Sequence, residues 1–326
     1  MDQLLRNPVI ERGLRKVETR VRRLSGSSAL PGINAGTERI VAAGGKRLRP
    51  AMTLATALAL GHPLDRRVIT AAACVELIHT GSLVHDDLMD QATERRGART
   101  LNAELGSGKA LVIGDFMLAR AWLAAITAVS RPVAEVLAAT VVELAEGQYL
   151  ETTDLFDPAR TEESALRSIT GKTAALFRAA CLVAAVCAQA QAEDRARMAA
   201  YGEKFGLIFQ VLDDLLDLTA PGDRLGKPAG NDLRQGVYTL PLLLAGADVG
   251  HLLGRDMDDE QVAEVLRRLR ASRMVDHTIA YCRGLASDAL AALPVLHDPE
   301  LADLLYGLPT AYIDHVAAVA RLTPVT

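Results

Sequence analysis

Apolar residues recur at helical spacing through almost the whole chain, and short Gly/Pro segments separate the repeats. Spacings of three and four residues place apolar side chains on one face of a helix, whereas a strand needs alternation. The breaks fall at residues 25–32, 44–45, 61–63, 106–108, 130–132 and 221–230. The pattern predicts helices over residues 2–24, 35–43, 48–60, 66–92, 108–129, 133–152, 161–189, 195–220, 238–248, 258–270, 272–292 and 299–320.

Composition supports helices over a sheet. The chain is 50% hydrophobic but only 4% aromatic, a balance that favours closely packed helices. No break is long enough to be an interdomain linker, and no shift in composition marks a boundary. We therefore predict an all-α fold, with residues 1–326 forming one helical bundle.

Charge and targeting features exclude several classes of protein. The net charge of −4 provides no general basic field for nucleic acid. The first 24 residues mix charged with apolar residues and lack the apolar run of a signal peptide. Continuous apolar runs elsewhere are shorter than the ~18 residues that a membrane span needs. We expect a cytoplasmic protein without a membrane span, and we interpret its four cysteines as reduced core residues.

Two acidic motifs stand at the ends of long apolar segments. The first is His-Asp-Asp-Leu-Met-Asp at 85–90, and the second is Asp-Asp-Leu-Leu-Asp at 213–217. On a helix, Asp86 and Asp90 lie one turn apart, so both carboxylates project from the same face. Asp213 and Asp217 repeat this spacing.

Paired carboxylates on neighbouring turns repel each other, and a bound cation removes that repulsion. Oxygen ligands without nearby His or Cys ligands select a hard ion, and Mg²⁺ typically joins a few carboxylates to substrate phosphates. One isolated motif of this kind is more often a solvated acidic face. Two copies, each following a strongly apolar helix, favour a magnesium-diphosphate site instead.

Basic residues complement these acidic motifs. The segment Gly-Gly-Lys-Arg-Leu-Arg-Pro at 44–50 places three cations after a glycine pair, and Arg95-Arg96 follows the first acidic motif. Arginine binds phosphate through its planar fork and lysine adds a point charge, so the clusters fit two diphosphates. Of these cations, Arg47 is the one we expect to face solvent.

The motifs together resemble the trans-isoprenyl diphosphate synthases of the polyprenyl synthase family. The resemblance spans nearly the whole chain and rests on GGKRLRP, ELIHTGSLVHDDLMD with the following RRG, GKTAALF, GLIFQVLDDLLD and LGKPAGNDLRQGVYTLP, in that order. It implies a helical fold of the isoprenoid synthase type around an apolar cavity. It also implies Mg²⁺-dependent condensation of isopentenyl diphosphate with dimethylallyl, geranyl or farnesyl diphosphate, and a homodimer in which residues 108–129 could supply the interface.

The resemblance also implies a role for individual residues. Contacts to isopentenyl diphosphate are expected from Lys46, Arg49, His79 and Arg96. Contacts to the allylic diphosphate are expected from Arg95, Lys172, Thr173, Gln210 and Lys227. Metal ligands are expected at Asp86, Asp90, Asp213 and Asp217, with Asp87 and Asp214 supporting them. The Gly-Lys-Thr at 171–173 is no phosphate loop, because Leu166 stands where a glycine is required and no strand precedes it.

Product length is predicted from the residues before the first acidic motif. Gly81 and Ser82 lie about one turn, or roughly 5 Å, before Asp86, close to the length of one isoprene unit. Their small side chains would leave a channel open toward Ile78, which predicts a product of geranylgeranyl length or longer.

Two alternatives remain open at this point. A class I terpene cyclase would need an N-D-x-x-S-x-x-x-E motif, but Asn231-Asp232 is followed by Gln235 and Thr239. The second alternative is a regulatory subunit of a two-component prenyl synthase, and such subunits tend to lose the acidic motifs. This chain has both motifs, so catalysis is the favoured interpretation.

Overall fold

The structure is a computed structural model and describes residues 1–95, 97–219, 229–246, 249–254 and 257–321. Its helices are α1 (Asp2–Arg6), α2 (Pro8–Ser25), α3 (Pro31–Ala42), α4 (Leu48–Ala59), α5 (Arg66–Met89), α6 (Leu101–Leu105), α7 (Ser107–Ala128), α8 (Arg131–Thr153), α9 (Glu162–Ile169), α10 (Ala175–Cys187), α11 (Ala192–Thr219), α12 (Asn231–Arg234), α13 (Leu240–Leu244), α14 (Asp259–Ala271), α15 (Met274–Ala292) and α16 (Pro299–Arg321). A π-helical turn, Thr170–Ala174, joins α9 to α10, and Gly250–Leu252 forms a 3₁₀ turn. The prediction of an all-α fold is confirmed.

A two-stranded hairpin directly follows the first acidic motif. Strand β1 (Glu94–Arg95) pairs antiparallel with strand β2 (Ala98–Arg99), and Arg95 lies opposite Ala98. This hairpin was not predicted from the sequence, because two-residue strands show no alternating pattern. Thr100 then caps α6 by accepting a hydrogen bond from the backbone N–H of Ala103.

Several helix ends follow from local chemistry. The predicted helix 2–24 divides at Asn7, whose side chain accepts from the N–H groups of Val9 and Ile10, while Pro8 occupies the first helical position. Asp65 caps α5 through the N–H of Val68. Gly61 adopts φ 76° just beyond α4, a conformation that glycine reaches without strain.

The chain divides into two compact units. The first comprises residues 1–141, 179–199 and 294–304. Its central element is α5, which packs against α2, α4 and α7. Residues Val68 to Ile78 of α5 are buried without interruption, and all but Thr70 and Glu76 are apolar, as expected of a core helix.

The second unit comprises residues 142–178, 200–293 and 305–326. Its core includes an aromatic cluster in which Phe177 lies edge-on to Phe205 and Phe209 stacks on Tyr312, with ring centroids 5.5 and 5.6 Å apart. The prediction that residues 1–326 form a single domain stays a prediction.

Three helical segments are long and apolar enough to cross a membrane by length and composition alone: Arg66–Met89, Ser107–Ala128 and Glu162–Cys187. They were missed in the sequence because only uninterrupted apolar runs were considered. These segments contain an occasional charged residue but have a high mean hydropathy over 18 residues. Within the protein, 78%, 39% and 67% of their most apolar windows are buried. The absence of a membrane span therefore stays a prediction.

The four cysteines are free and buried, as predicted. Burial raises the pKa of Cys74, Cys181 and Cys282 to about 12 in each case. Thiols with such pKa values stay protonated and act as small apolar core side chains.

Candidate active site

The first acidic motif occupies the last turn of α5. Asp86 is half-buried and Asp90 is exposed at the C-cap, where its N–H donates to the Asp86 carbonyl at 2.9 Å. A helix C-terminus carries partial negative charge, which repels the carboxylates of Asp86 and Asp90, and the two carboxylates also repel each other. A cation bound between them would relieve both penalties.

Asp87, the middle aspartate, turns inward instead. It is 7% exposed, and one carboxylate oxygen accepts a 2.6 Å hydrogen bond from Nε of Arg95. Burial raises the pKa of Asp87, and the Arg95 guanidinium opposes that shift. The pair ties the β1–β2 hairpin to α5, so it fixes where Arg95 stands relative to Asp86.

The second acidic motif, near the end of α11, shows the same division of roles. Asp213 is exposed, whereas Asp214 is buried and accepts from Nε2 of Gln210 at 2.7 Å. Burial raises the pKa of Asp214 well above its usual value, and the nearby Asp232 carboxylate adds to the shift. Gln210 in turn accepts from the hydroxyl of Thr173 at 2.8 Å, so two predicted substrate residues lie in contact.

Asp217, the last aspartate of this motif, is 3% exposed, unlike Asp90 in the first. Its Oδ2 accepts from the backbone N–H of Asp232 at 3.1 Å, in the first turn of α12. This contact links α11 to the first turn of α12. The proposal that Asp217 also binds metal stays a prediction.

Lys172 projects from the π-helical turn. Its Nζ lies 2.5 Å from Oε1 of Glu151 on α8. The turn packs directly on α8, since a Cβ added at Gly147 would lie 2.3 Å from the Lys172 backbone nitrogen and one added at Gly171 2.7 Å from the Glu143 carbonyl. Two glycines therefore permit a backbone-to-backbone contact, and π turns of this kind are frequent at functional sites.

The basic segment at 44–50 leads into α4. Lys46 is exposed, whereas Arg49 is half-buried and its Nη1 lies 3.4 Å from Nε2 of His79. Burial lowers the pKa of Arg49 to about 10, and the Glu76 carboxylate opposes that shift. Arg49 and His79, both predicted to bind isopentenyl diphosphate, are thus neighbours.

The expectation that Arg47 faces solvent is wrong. Its side chain is 15% exposed and forms ion pairs with Glu76 at 2.6 Å and Glu18 at 3.0 Å. The sequence did not indicate this arrangement, because Glu18 and Glu76 each lie 29 residues from Arg47 and a pairing at that distance leaves no local pattern.

The predicted product-length residues differ in their surroundings. A Cβ added at Gly81 would lie 3.2 Å from the Gly114 carbonyl and 3.3 Å from Leu118 on α7. Ile78 is fully buried, whereas Ser82 is half-buried and donates to the His79 carbonyl at 2.9 Å. A larger side chain at Gly81 would displace α7, so Ser82 is the better position at which to test the length prediction.

Two predicted residues, Arg96 and Lys227, lie outside the described residues. Conversely, Glu151, Asp232 and Glu76 were not predicted from the sequence as partners of site residues. Glu151 lies outside every motif, whereas Glu76 is the first residue of ELIHTGSLVHDDLMD and Asp232 lies in LGKPAGNDLRQGVYTLP. Membership of these motifs was the available signal, but it did not show which residues Glu76 and Asp232 contact.

The donor chemistry fits a hard cation that is completed by substrate. Throughout the part of the chain that the structure describes, no three His, Cys, Asp or Glu side chains form a group that could hold a metal ion by themselves. Mg²⁺ commonly takes only one or two carboxylates and fills its remaining positions with phosphate oxygens and water. Paired aspartates such as Asp86 and Asp90 meet that requirement.

Comparison with known proteins assigns the chain to a family. Residues 31–269 match the Polyprenyl synthetase family. Octaprenyl diphosphate synthase of Escherichia coli (strain K12) is 36% identical over 277 residues, which cover 82% of this chain and 85% of that protein.

Solved structures agree with this assignment. Decaprenyl diphosphate synthase from Rhodobacter capsulatus superposes with a TM-score of 0.88 at 31% identity, covering 97% of this chain and 99% of that one. A polyprenyl synthase from Caulobacter crescentus CB15, complexed with calcium and isoprenyl diphosphate, also gives 0.88, at 32% identity and 98% coverage of both chains.

The chain therefore belongs to the Polyprenyl synthetase family. Within that family it is a trans-prenyltransferase whose relatives make long all-trans polyprenyl diphosphates. Neither the terpene cyclase nor the regulatory-subunit alternative is favoured.

Proposed function

We propose that the enzyme uses Mg²⁺ to condense isopentenyl diphosphate with an allylic primer, namely dimethylallyl, geranyl or farnesyl diphosphate. The observation that carries the proposal is the shared arrangement of the two acidic motifs. In each, the first aspartate is at least partly open to solvent near a helix C-terminus and the second is buried against a predicted substrate residue. The Caulobacter crescentus relative, which binds calcium and isoprenyl diphosphate, supports both the divalent metal and the substrate class.

In this proposal Asp86, Asp90 and Asp213, together with Asp217, hold the metal ions. Bound Mg²⁺ would neutralise the allylic diphosphate and so promote ionisation of its carbon–oxygen bond. Charged donors already in place where the leaving group develops typically contribute several kcal/mol of barrier lowering.

Side chains of the enzyme would hold the two substrates. Arg95 and Lys172 face the allylic diphosphate, and their present partners, Asp87 and Glu151, keep both cations oriented before it arrives. Lys46, Arg49 and His79 bind isopentenyl diphosphate, whose double bond attacks the allylic cation. The departing pyrophosphate then accepts the proton that the condensed product loses.

We propose a product of geranylgeranyl length or longer, with a polyprenyl diphosphate preferred. The long-chain products named for the relatives support this choice. Incubation with labelled isopentenyl diphosphate and each primer, followed by mass spectrometry, tests the proposed reaction and measures chain length. A wild-type enzyme that stops at farnesyl diphosphate would refute the length proposal but not the reaction.

Ser82→Phe should shorten the product while condensation continues. A phenyl ring at this half-buried position, one turn before Asp86, would block the space into which the growing chain extends. Ser82→Ala is the matched control, since it removes the hydroxyl that bonds to His79 without adding bulk, and it should keep the wild-type length. An unchanged product from Ser82→Phe would move the length-setting residue elsewhere.

We propose a homodimer formed through α7. Large apolar side chains on this helix remain exposed in the single chain, namely Leu111, Val112, Trp122, Leu123 and Ile126. Sedimentation equilibrium should show a dimer, and Leu123→Asp should convert it to a monomer because a charge would be buried at the interface. Val295→Asp, at an exposed residue outside α7, should leave the dimer intact. A wild-type monomer would contradict the proposal.

We also propose that the enzyme acts in the cytoplasm without spanning the membrane. The most apolar windows of Arg66–Met89 and Glu162–Cys187 are 78% and 67% buried inside the protein, which supports this because buried side chains are not available to lipid. The third segment, Ser107–Ala128, is 39% buried and is the helix assigned above to the proposed dimer interface.

A further inference from the structure

The loop before α4 has an unusual backbone. Gly44 and Gly45 have φ values of 75° and 158°, and Arg47 adopts the left-handed region at φ 52°. The two glycines accept positive φ readily, but an arginine in this region is uncommon and strained. Such strain persists only where surrounding contacts hold it.

The contacts that hold it come from the Arg47 side chain. Nη1 donates to Glu76 at 2.6 Å, Nε donates to Glu18 at 3.0 Å, and Nη2 donates to the Val41 carbonyl at 3.1 Å. The guanidinium therefore joins α2, the end of α3 and α5 to the loop. A lysine could not make these contacts, since it presents a single point of charge instead of a planar fork.

Glu76 is the buried centre of this network. Its side chain is 4% exposed, and it stands one turn before His79 on α5. Burial raises the pKa of Glu76, and the charges of Arg47 and then Arg49 oppose the shift. Glu76 is the buried carboxylate of the network, whereas Glu18 is 31% exposed and also pairs with Arg22 at 3.4 Å.

The loop geometry places its cations in different environments. Lys46 is exposed, Arg47 points inward to Glu76, and Arg49 is half-buried beside His79. The Arg47 anchor therefore separates the two cations that the proposed function assigns to isopentenyl diphosphate.

We propose that Glu76 and Arg47 are positioning residues for isopentenyl diphosphate, which hold the loop so that Lys46 and Arg49 are placed to bind its diphosphate. This inference rests on the proposed function, because it assumes that Lys46, Arg49 and His79 form the isopentenyl site. Neither Glu76 nor Arg47 needs to touch the substrate.

The two consequences of neutralising Glu76 have opposite signs. Loss of a buried negative charge would by itself favour a bound diphosphate, because anions repel each other. Loss of the anchor would release the strained loop and weaken binding. If positioning dominates, Glu76→Gln binds isopentenyl diphosphate more weakly, whereas tighter binding would overturn the proposal.

The test is calorimetric titration of the purified full-length enzyme with isopentenyl diphosphate, alongside KM values for both substrates. Glu76→Gln and Arg47→Lys should each raise the isopentenyl Kd and KM about tenfold, the loss expected for one hydrogen bond between charged groups. The KM for the allylic primer should change less than about twofold, because neither substitution alters a residue that is proposed to bind the allylic diphosphate.

Arg178→Lys is the matched control. Arg178 also bridges two carboxylates, Glu143 and Glu203, but it lies outside the loop and outside the proposed substrate contacts. It should lower the melting temperature by an amount similar to Arg47→Lys and leave the isopentenyl Kd unchanged. If both variants lose stability equally and neither changes that Kd, the role of Arg47 is only structural and the proposal fails.

A milder variant covers the case in which Glu76→Gln does not fold. Glu18 is 31% exposed, so Glu18→Gln should fold and raise the isopentenyl Kd by a few fold. An unchanged Kd in Glu18→Gln and Arg47→Lys would overturn the inference. Failure of the proposed function would look different, since wild-type enzyme would then bind no isopentenyl diphosphate or Lys46→Ala would bind it normally.

Discussion

Asp86→Ala and Asp213→Ala should each lower kcat about a thousandfold or more, while the protein remains folded. Each change removes a carboxylate proposed to hold Mg²⁺ against the allylic diphosphate, and several kcal/mol of barrier correspond to three or more powers of ten in rate. Turnover should also stop with a chelator and return when Mg²⁺ is added. Steady-state assays with labelled isopentenyl diphosphate, at saturating substrate, provide the measurement.

Thermal unfolding of the same variants separates chemistry from stability. Asp86 and Asp90 repel each other at the negative end of α5, so Asp86→Asn should keep or slightly raise the melting temperature of the metal-free protein. Asp214→Asn would be a poorer control, because that buried side chain contacts Gln210. Near-normal turnover by Asp86→Ala or Asp213→Ala would show that these carboxylates are surface features.

Substitution of the cations should separate the two substrates. Arg49→Ala should raise the KM for isopentenyl diphosphate ~10–100-fold, since charge-assisted hydrogen bonds contribute about 1.5–3 kcal/mol each. Lys46→Ala should act in the same direction and less strongly, because Lys46 is exposed. Arg95→Ala should instead raise the KM for the allylic primer. Initial rates measured over a matrix of both substrate concentrations give the two constants for every variant.

A surface arginine provides the control for this comparison. Arg15 forms an exposed ion pair with Glu11 on α2, and Arg15→Ala should leave both constants unchanged. Equal effects of Lys46→Ala, Arg49→Ala and Arg95→Ala on both substrates would reject the assignment. A closure step shared by the two substrates would blur the contrast, so direct binding of isopentenyl diphosphate should accompany the kinetics.

The helices were predictable because each helix buries one face, so apolar residues recur in the sequence at the 3.6-residue spacing of the helix. The predicted segments 48–60, 66–92 and 272–292 compare with helices Leu48–Ala59, Arg66–Met89 and Met274–Ala292. The one-turn spacing of the aspartates within each acidic motif was also readable from the sequence. The spacing did not predict the burial of each carboxylate: Asp86 is half-buried and Asp87 is buried beside Arg95, whereas Asp213 is exposed and Asp217 is 3% exposed.

Features that depend on long-range partners were not predictable from the sequence. Arg47 and Glu76 are 29 residues apart, and neither residue alone distinguishes an inward from an outward side chain. The pairing of Lys172 with Glu151 across 21 residues was equally hidden. The family resemblance identified Lys172 through its motif. Glu151 lies outside every motif, so its pairing with Lys172 could be identified only from the structure.

The π-helical turn at Thr170–Ala174 makes the length of the chain, and not only its side chains, a determinant of the site. Each residue of an α-helix advances the chain by about 100° around the axis. Deleting a single residue from this turn would restore a regular α-helix and rotate α10 by that angle relative to α9. Ser168 on α9 donates to the Gly147 carbonyl, and Thr173 at the far side of the turn donates to Gln210, so after the deletion one register could not satisfy both contacts. A single-codon deletion here would therefore be far more damaging than most substitutions.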